Sequence, residues 1–178
     1  ARAGKIEVLK TLLQKGVPAN PNAILMAAQG SRGGANPIEV YQYLESVKLK
    51  PNFVGKNGET ALHAIARKPK QEEIVKYFLS KGLNANQPDE DGNTAFMNAA
   101  ATNRDLAVLN LLLPEGKAIN QVNKKGVSPL AMAVRGNSPE AVAYLIDKGA
   151  SITTADLNGD NLGAYLIQSY NGPRAGAD

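Results

Sequence analysis

One nine-residue phrase recurs four times in this chain. It reads Gly58-Glu-Thr-Ala-Leu-His-Ala-Ile-Ala66, Gly92-Asn-Thr-Ala-Phe-Met-Asn-Ala-Ala100, Gly126-Val-Ser-Pro-Leu-Ala-Met-Ala-Val134 and, degraded, Gly159-Asp-Asn-Leu-Gly-Ala-Tyr-Leu-Ile167. The opening glycines lie 34, 34 and 33 residues apart. Self-similarity at that period marks an array whose units are too small to bury a core alone and pack only on their neighbours. Function in such an array belongs to a surface rather than to an enclosed pocket.

Each phrase is followed by an apolar stripe at helical spacing: Ile74, Val75, Phe78 and Leu79, then Leu106, Val108, Leu109 and Leu112, then Val142, Leu145 and Ile146. The pattern predicts two helices per repeat. Asn36-Pro37 and Ser138-Pro139 read as caps of second helices, with a polar side chain accepting from free amides and proline placed where no amide bond is lost. Gly16, Gly82, Gly116 and Gly149 read as their stops. The stretches Leu83 to Asp91, Lys117 to Lys125 and Ala150 to Asn158 are rich in Asn, Asp and Lys, as solvent-facing turns are.

Upstream, Lys5 to Lys15 and Pro37 to Val47 read as two more second helices, with a first helix, Asn22 to Gln29, between them. The loop Gln29-Gly-Ser-Arg-Gly-Gly-Ala-Asn36 is longer than its counterparts, so this repeat is irregular.

These residues resemble the ankyrin-repeat family over nearly the whole chain, most specifically Thr60-Ala-Leu-His63 with Gly82-Leu-Asn-Ala-Asn86. The resemblance implies an all-α solenoid of stacked helix-turn-helix units with β-finger loops along one edge, and a concave groove lined by fingers and first helices. It divides the single domain 1–178 into about five repeats at 1–20 (partial), 21–54 (irregular), 55–88, 89–122, 123–155 and 156–178 (partial). Lys48 at a helix-ending glycine position and Gly163 at a core leucine position depart from the family's pattern. The chain looks like a segment that starts and stops mid-repeat within a longer parent, and its two Gly-rich loops at matching positions hint at a larger recurring module.

Composition narrows the function. The chain is 43% hydrophobic, with nine aromatic residues, six Tyr and three Phe, so small aliphatic residues carry the packing. No apolar run reaches the roughly 18 to 20 residues of a spanning helix, and the sequence reads as soluble. Residues Ala1 to Val8 include Lys5 and Glu7 and do not form a secretory signal. The absence of cysteine excludes disulfides and thiolate chemistry and fits cytoplasm and periplasm equally.

Catalytic and metal readings fail on spacing. His63 is the only histidine, without a second imidazole or a thiolate to share a metal, and no Gly-x-Ser-x-Gly elbow presents a serine for a base to activate. The resemblance implies instead that Thr60 and His63 tie the finger to the first helix. Asp89-Glu-Asp-Gly92 has Asn98 where an EF-hand needs glutamate, and Gly30-Ser-Arg-Gly-Gly34 has no Gly-Lys-Ser/Thr ending to bind phosphate. The expectation is a binding module, not an enzyme, without cofactor or metal.

Carrying the family's usual contact positions onto each phrase selects a partner-binding set. It comprises Lys56, Asn57, Glu59, Arg67 and Lys68, then Glu90, Asp91, Asn93, Ala101 and Thr102, then Lys124, Lys125, Val127 and Arg135, and finally Leu157, Asn158, Asp160 and Gln168. Fingertip charge runs basic, acidic, basic, near neutral. Such banding favours a protein partner with matching bands over nucleic acid, because Glu90 and Asp91 interrupt any basic stripe despite a net charge of +4. The competing readings are a structural spacer and a polyanion binder. Phe53 and Tyr170 stand as aromatic candidates away from the groove, Tyr41, Tyr43, Tyr77 and Tyr144 as packing between repeats, and the chain is expected to be a monomer.

Overall fold

A computed structural model of the chain describes residues 3–30, 37–113 and 116–171. Among them the chain forms ten α-helices and no extended strand: α1 (Ala3–Gln14), α2 (Ala23–Gln29), α3 (Ile38–Ser46), α4 (Ala61–Ala66), α5 (Glu72–Ser80), α6 (Ala95–Thr102), α7 (Leu106–Leu112), α8 (Pro129–Gly136), α9 (Pro139–Asp147) and α10 (Leu162–Asn171). No helix among the described residues is long and apolar enough to cross a membrane.

The repeated phrase starts α6 and α8 by the same device. Thr94 Oγ1 accepts from the Met97 amide and Ser128 Oγ from the Ala131 amide, each at 3.2 Å, satisfying one of the donors that a helix start leaves free. The alanines that follow, among them Ala61, Ala66, Ala95, Ala99, Ala100 and Ala133, are fully or almost fully buried. Their small side chains let α2, α4, α6, α8 and α10 pack side by side in that order. The second helices α3, α5, α7 and α9 pack behind them, and Leu62, Phe96, Leu130, Phe78, Leu109 and Leu145 fill the space between the two layers.

The tyrosines join consecutive second helices. Tyr41 meets Phe78 edge-on with centroids 5.2 Å apart, Tyr77 donates to Glu45 at 2.7 Å and Tyr144 to Asn110 at 3.0 Å, while Lys10 of α1 lies over the Tyr43 ring. Phe53 packs against the core and Tyr170 is exposed.

Four second helices end alike. The amides of Val17, Leu49, Leu83 and Ala150 donate back to Leu12, Leu44, Phe78 and Leu145, across a residue in the left-handed region. That residue is Gly16, Gly82 or Gly149 in three cases and Lys48, at φ 69°, in the fourth. A left-handed side-chain-bearing residue costs about 1–2 kcal/mol, and glycine's own entropy cost offsets about 0.5–1 of it. Lys48→Gly is therefore expected to raise stability by about 0.5–1 kcal/mol in chemical denaturation.

Gly116 does not stop α7. That helix ends at Leu112, and Gly116 opens a 3₁₀ turn, Gly116–Asn120. The reason is Pro114, since a residue before proline is excluded from helical backbone, and Leu113 stands at ψ 119°. Ser138 caps α9 as expected, accepting from the Ala141 amide, with Pro139 in the first turn. The Asn36 cap and residues 31–36 of the Gly-rich loop lie outside the described residues, as does 172–178 at the C-terminal end.

Candidate functional site

The loops between repeats form a polar surface built from tight turns. In three of them one carboxylate or amide organises a tight turn. Asp89 Oδ1 accepts from the Asp91 and Asn93 amides, Asn123 Oδ1 from Lys125 and Val127, and Asp156 Oδ1 from Asn158 and Asp160, all between 2.8 and 3.0 Å. Asp89, which a calcium reading would claim, is used here to hold backbone amides. A backbone pair closes each turn, from Asp89 to Asn93, Asn123 to Val127 and Asp156 to Asp160.

Successive turns are joined main chain to main chain. The Glu90 amide donates to Asn57 O at 2.9 Å, the Lys124 amide to Asp91 O at 3.0 Å and the Leu157 amide to Lys125 O at 3.0 Å. Asn123 Nδ2 also reaches Asn93 Oδ1 at 2.9 Å. The fingers are thus turns linked edge to edge rather than long hairpins, with one isolated antiparallel bridge, Ala155 to Asn161, among the described residues.

The row is tied to the first helices behind it. His63 Nδ1 accepts from the Thr60 amide at 3.2 Å, so the ring proton sits on Nε2 and is donated to Asn93 O, 3.2 Å away in the next repeat. Thr60 Oγ1 lies 2.8 Å from Nδ1. In the last repeat the Tyr165 hydroxyl donates to Asp156 Oδ2 at 2.7 Å, and burial with that carboxylate pushes its pKa up to about 12.

Burial holds the His63 pKa below its ordinary 6.5, against an opposing pull from the Asn93 carbonyl and the Asp89 and Glu59 charges. The unfolded chain therefore takes up a proton that the folded chain refuses. Stability is complete above about pH 6.5 and falls as pH is lowered from there toward the folded pKa. His63 is the only histidine, so a decline in denaturation midpoint between about pH 7 and pH 5.5 that is flattened in His63→Ala is the expected result.

The expected contact residues separate into two groups. Lys56, Asn57, Glu90, Asp91, Lys124, Lys125, Leu157 and Asn158 lie at the turn tips with exposed side chains, and Arg67, Thr102, Arg135 and Gln168 are exposed on or beside first helices. Leu157 is 78% exposed, the most exposed large apolar side chain of the described residues. The others are half-buried and engaged in the stack. Glu59 accepts from Arg67 and from Gln29, each at 2.8 Å, Asn93 bridges to Asn123, Val127 closes its turn, Ala101 is packed and Asp160 accepts from Gln168.

Lys68 turns inward. Its ammonium donates to Ala28 O at 2.6 Å and Gln29 O at 2.7 Å, the free carbonyls at the end of α2, and burial lowers its pKa. Asn103 does the same for α4, donating to Ala66 O at 2.8 Å and Lys68 O at 3.0 Å, and Asn137 for α6, donating to Ala100 O and Asn103 O at 2.9 Å. Each of these first helices has its C-terminal carbonyls satisfied by the next repeat. Asn103 and Asn137 stand eleven residues after Gly92 and Gly126, a coincidence of register that sequence reasoning passed over.

A family model described as ankyrin repeats (3 copies) matches the chain at residues 1–89, 24–115 and 65–156. No curated protein matches it.

Proposed function

Since this chain belongs to the ankyrin-repeat family, whose arrays are generally protein-interaction modules, we propose that it binds a protein partner along the row of turns and the first helices beside it. The observation that carries this reading is that the row's backbone is consumed in bonds between and within turns, while Lys56, Glu90, Asp91, Lys124, Lys125 and Leu157 project from it. A surface fixed in this way loses little conformational freedom on binding. Its charge bands select a partner whose potential alternates in the opposite sense, and Leu157 beside the Lys124–Lys125 band supplies an apolar anchor. Lys68 and Glu59 support the surface from within the stack, and a single chain presents the entire row. Binding, with no chemical step, is the activity.

The test is affinity capture from native lysate with the chain as bait, beside a control in which Glu90 and Asp91 become Lys and Lys124 and Lys125 become Glu. All four residues are exposed, so the control retains the fold by circular dichroism. A protein retained by the native chain and lost by the control is the expected result. Identical profiles would overturn the proposal in favour of a spacer, and retained species dominated by polyanions, released steeply by salt, would overturn it in favour of electrostatic binding.

A further inference from the structure

Three consecutive turns present the same two exposed positions at the edge of the stack. Val54 and Lys56, Pro88 and Glu90, and Val122 and Lys124 are exposed, while the residue inside each pair, Gly55, Asp89 or Asn123, is half-buried and donates its amide into its own turn. Pro88, Glu90, Val122 and Lys124 have described repeats on both sides, so their exposure belongs to the interior of the array. The pairs recur every 34 residues and draw two lines along the edge. One is apolar, Val54, Pro88 and Val122; the other is charged, Lys56, then Glu90 with Asp91, then Lys124 with Lys125. The charges alternate in sign from turn to turn, yet none of the five forms an ion pair with another described residue. Opposite charges on bonded neighbours thus stay free for a ligand.

The bonds between turns set the spacing of these bands. Each repeat advances the row by one main-chain hydrogen bond and one peptide unit: Asn57 O to the Glu90 amide, Glu90 to Asp91, and Asp91 O to the Lys124 amide. Backbones joined by such a bond lie about 4.8 Å apart and a peptide unit spans about 3.8 Å, so one repeat is about 9 Å. Side-by-side packing of α4, α6 and α8 agrees, since packed helix axes lie about 8–10 Å apart.

A chain that answers every band with one side chain must return to the same face about every 9 Å. A β-strand returns after two residues, about 6.7 Å, and an α-helix after about 5.4 Å or, over two turns, about 10.8 Å, so both fall out of step along the row. A polyproline II helix has three residues per turn and rises about 3.1 Å per residue, which brings every third side chain back at about 9.3 Å. Its backbone also needs no partner. That suits an edge where the amides of Glu90, Asp91, Lys124 and Lys125 are already engaged and leave no donors there for an added strand.

We propose that this edge takes a polyproline II segment of the protein partner, with an acidic, a basic and an acidic residue at every third position and proline or other apolar residues between them. The proposal rests on the reading of the row as a protein-binding surface and names the segment it holds. The first acid meets Lys56, the base meets Glu90 and Asp91, and the second acid meets Lys124 and Lys125. The intervening residues lie against Val54, Pro88 and Val122. Proline there fixes the backbone in advance, so little freedom is lost on binding.

Fluorescence anisotropy of labelled peptides with the 178-residue chain tests this. The probe is Pro-Pro-Glu-Pro-Pro-Arg-Pro-Pro-Glu-Pro-Pro, and its counterpart exchanges Glu with Arg throughout. The native chain is expected to bind the probe about tenfold or more tightly than the counterpart, and than a peptide with the same charges two residues apart. The band-inverted variant Lys56→Glu/Glu90→Lys/Asp91→Lys/Lys124→Glu/Lys125→Glu changes exposed positions alone and should prefer the counterpart. Three changes each lower the net charge by two and two each raise it by two, from +4 to +2, so general attraction to an acidic peptide cannot produce that reversal. Failure of the probe to bind, equal binding of probe and counterpart, tighter binding of the two-spaced peptide, or an unreversed preference in the variant would overturn the inference. Lysate capture that still depended on these charges would then leave the wider reading of the row standing, so the two fail separately.

Discussion

Replacing Gly92 with alanine is expected to cost about 3 kcal/mol or more, against about 1–2 kcal/mol for the same change at Gly159. Both glycines occupy the same place in their phrase, at φ 80° and 85°, and both substitutions incur the strain of a left-handed alanine. They differ in what lies beyond. A Cβ on Gly92 would stand 2.8 Å from the Lys124 amide nitrogen, whereas one on Gly159 would meet nothing within 4 Å. The obstacle at Gly92 is backbone and cannot rotate aside. Relief requires the third turn to move off the second, breaking the Lys124 to Asp91 bond. Chemical denaturation of the two variants measures the difference, and equal losses would mean that the turns do not support one another.

Asn103→Ala is expected to cost about 2–4 kcal/mol. The side chain is fully buried, its amide serves Ala66 O and Lys68 O, and its Oδ1 accepts from the Asp105 amide at 2.9 Å. Alanine leaves the carbonyls at the end of α4, Ala66 O and Lys68 O, without this donor, and an orphaned buried polar group costs about 1–3 kcal/mol. Thr102→Ala, one residue earlier and exposed, should change stability by less than about 0.5 kcal/mol. If the two substitutions proved equivalent in denaturation, the inter-repeat asparagine would not be a structural joint.

The helices and most of their ends were legible because their causes are local. A 3.6-residue stripe, a Thr or Ser before an alanine-rich run and a glycine after a stripe act within one turn of themselves, and α4, α5, α6, α8 and α9 follow from them. Gly116 misled because a competing local signal, Pro114, acts two residues earlier and ends α7 first. The site was half legible. Turn tips such as Lys124, Lys125 and Leu157 could be placed by counting from the repeated glycine, because position in a turn decides exposure. The inward turn of Lys68 could not, since its partners Ala28 and Gln29 lie about 40 residues away in a repeat with a poorly matching phrase. Asn103 and Asn137 were visible only as a coincidence of register whose meaning depends on helices already packed.

Among the described residues, Gly163 is exposed where its counterparts Leu62, Phe96 and Leu130 are buried.

The claim beneath these readings is that the turns form one preorganised edge, bonded main chain to main chain, and residue-resolved hydrogen exchange tests it most directly. The Glu90, Lys124 and Leu157 amides, which donate across repeat boundaries, are expected to exchange slowly, with protection comparable to the amides of α6. Exchange of those three at the rate of an unstructured loop while α6 stays protected would show turns moving independently, and would contradict a prebuilt binding surface.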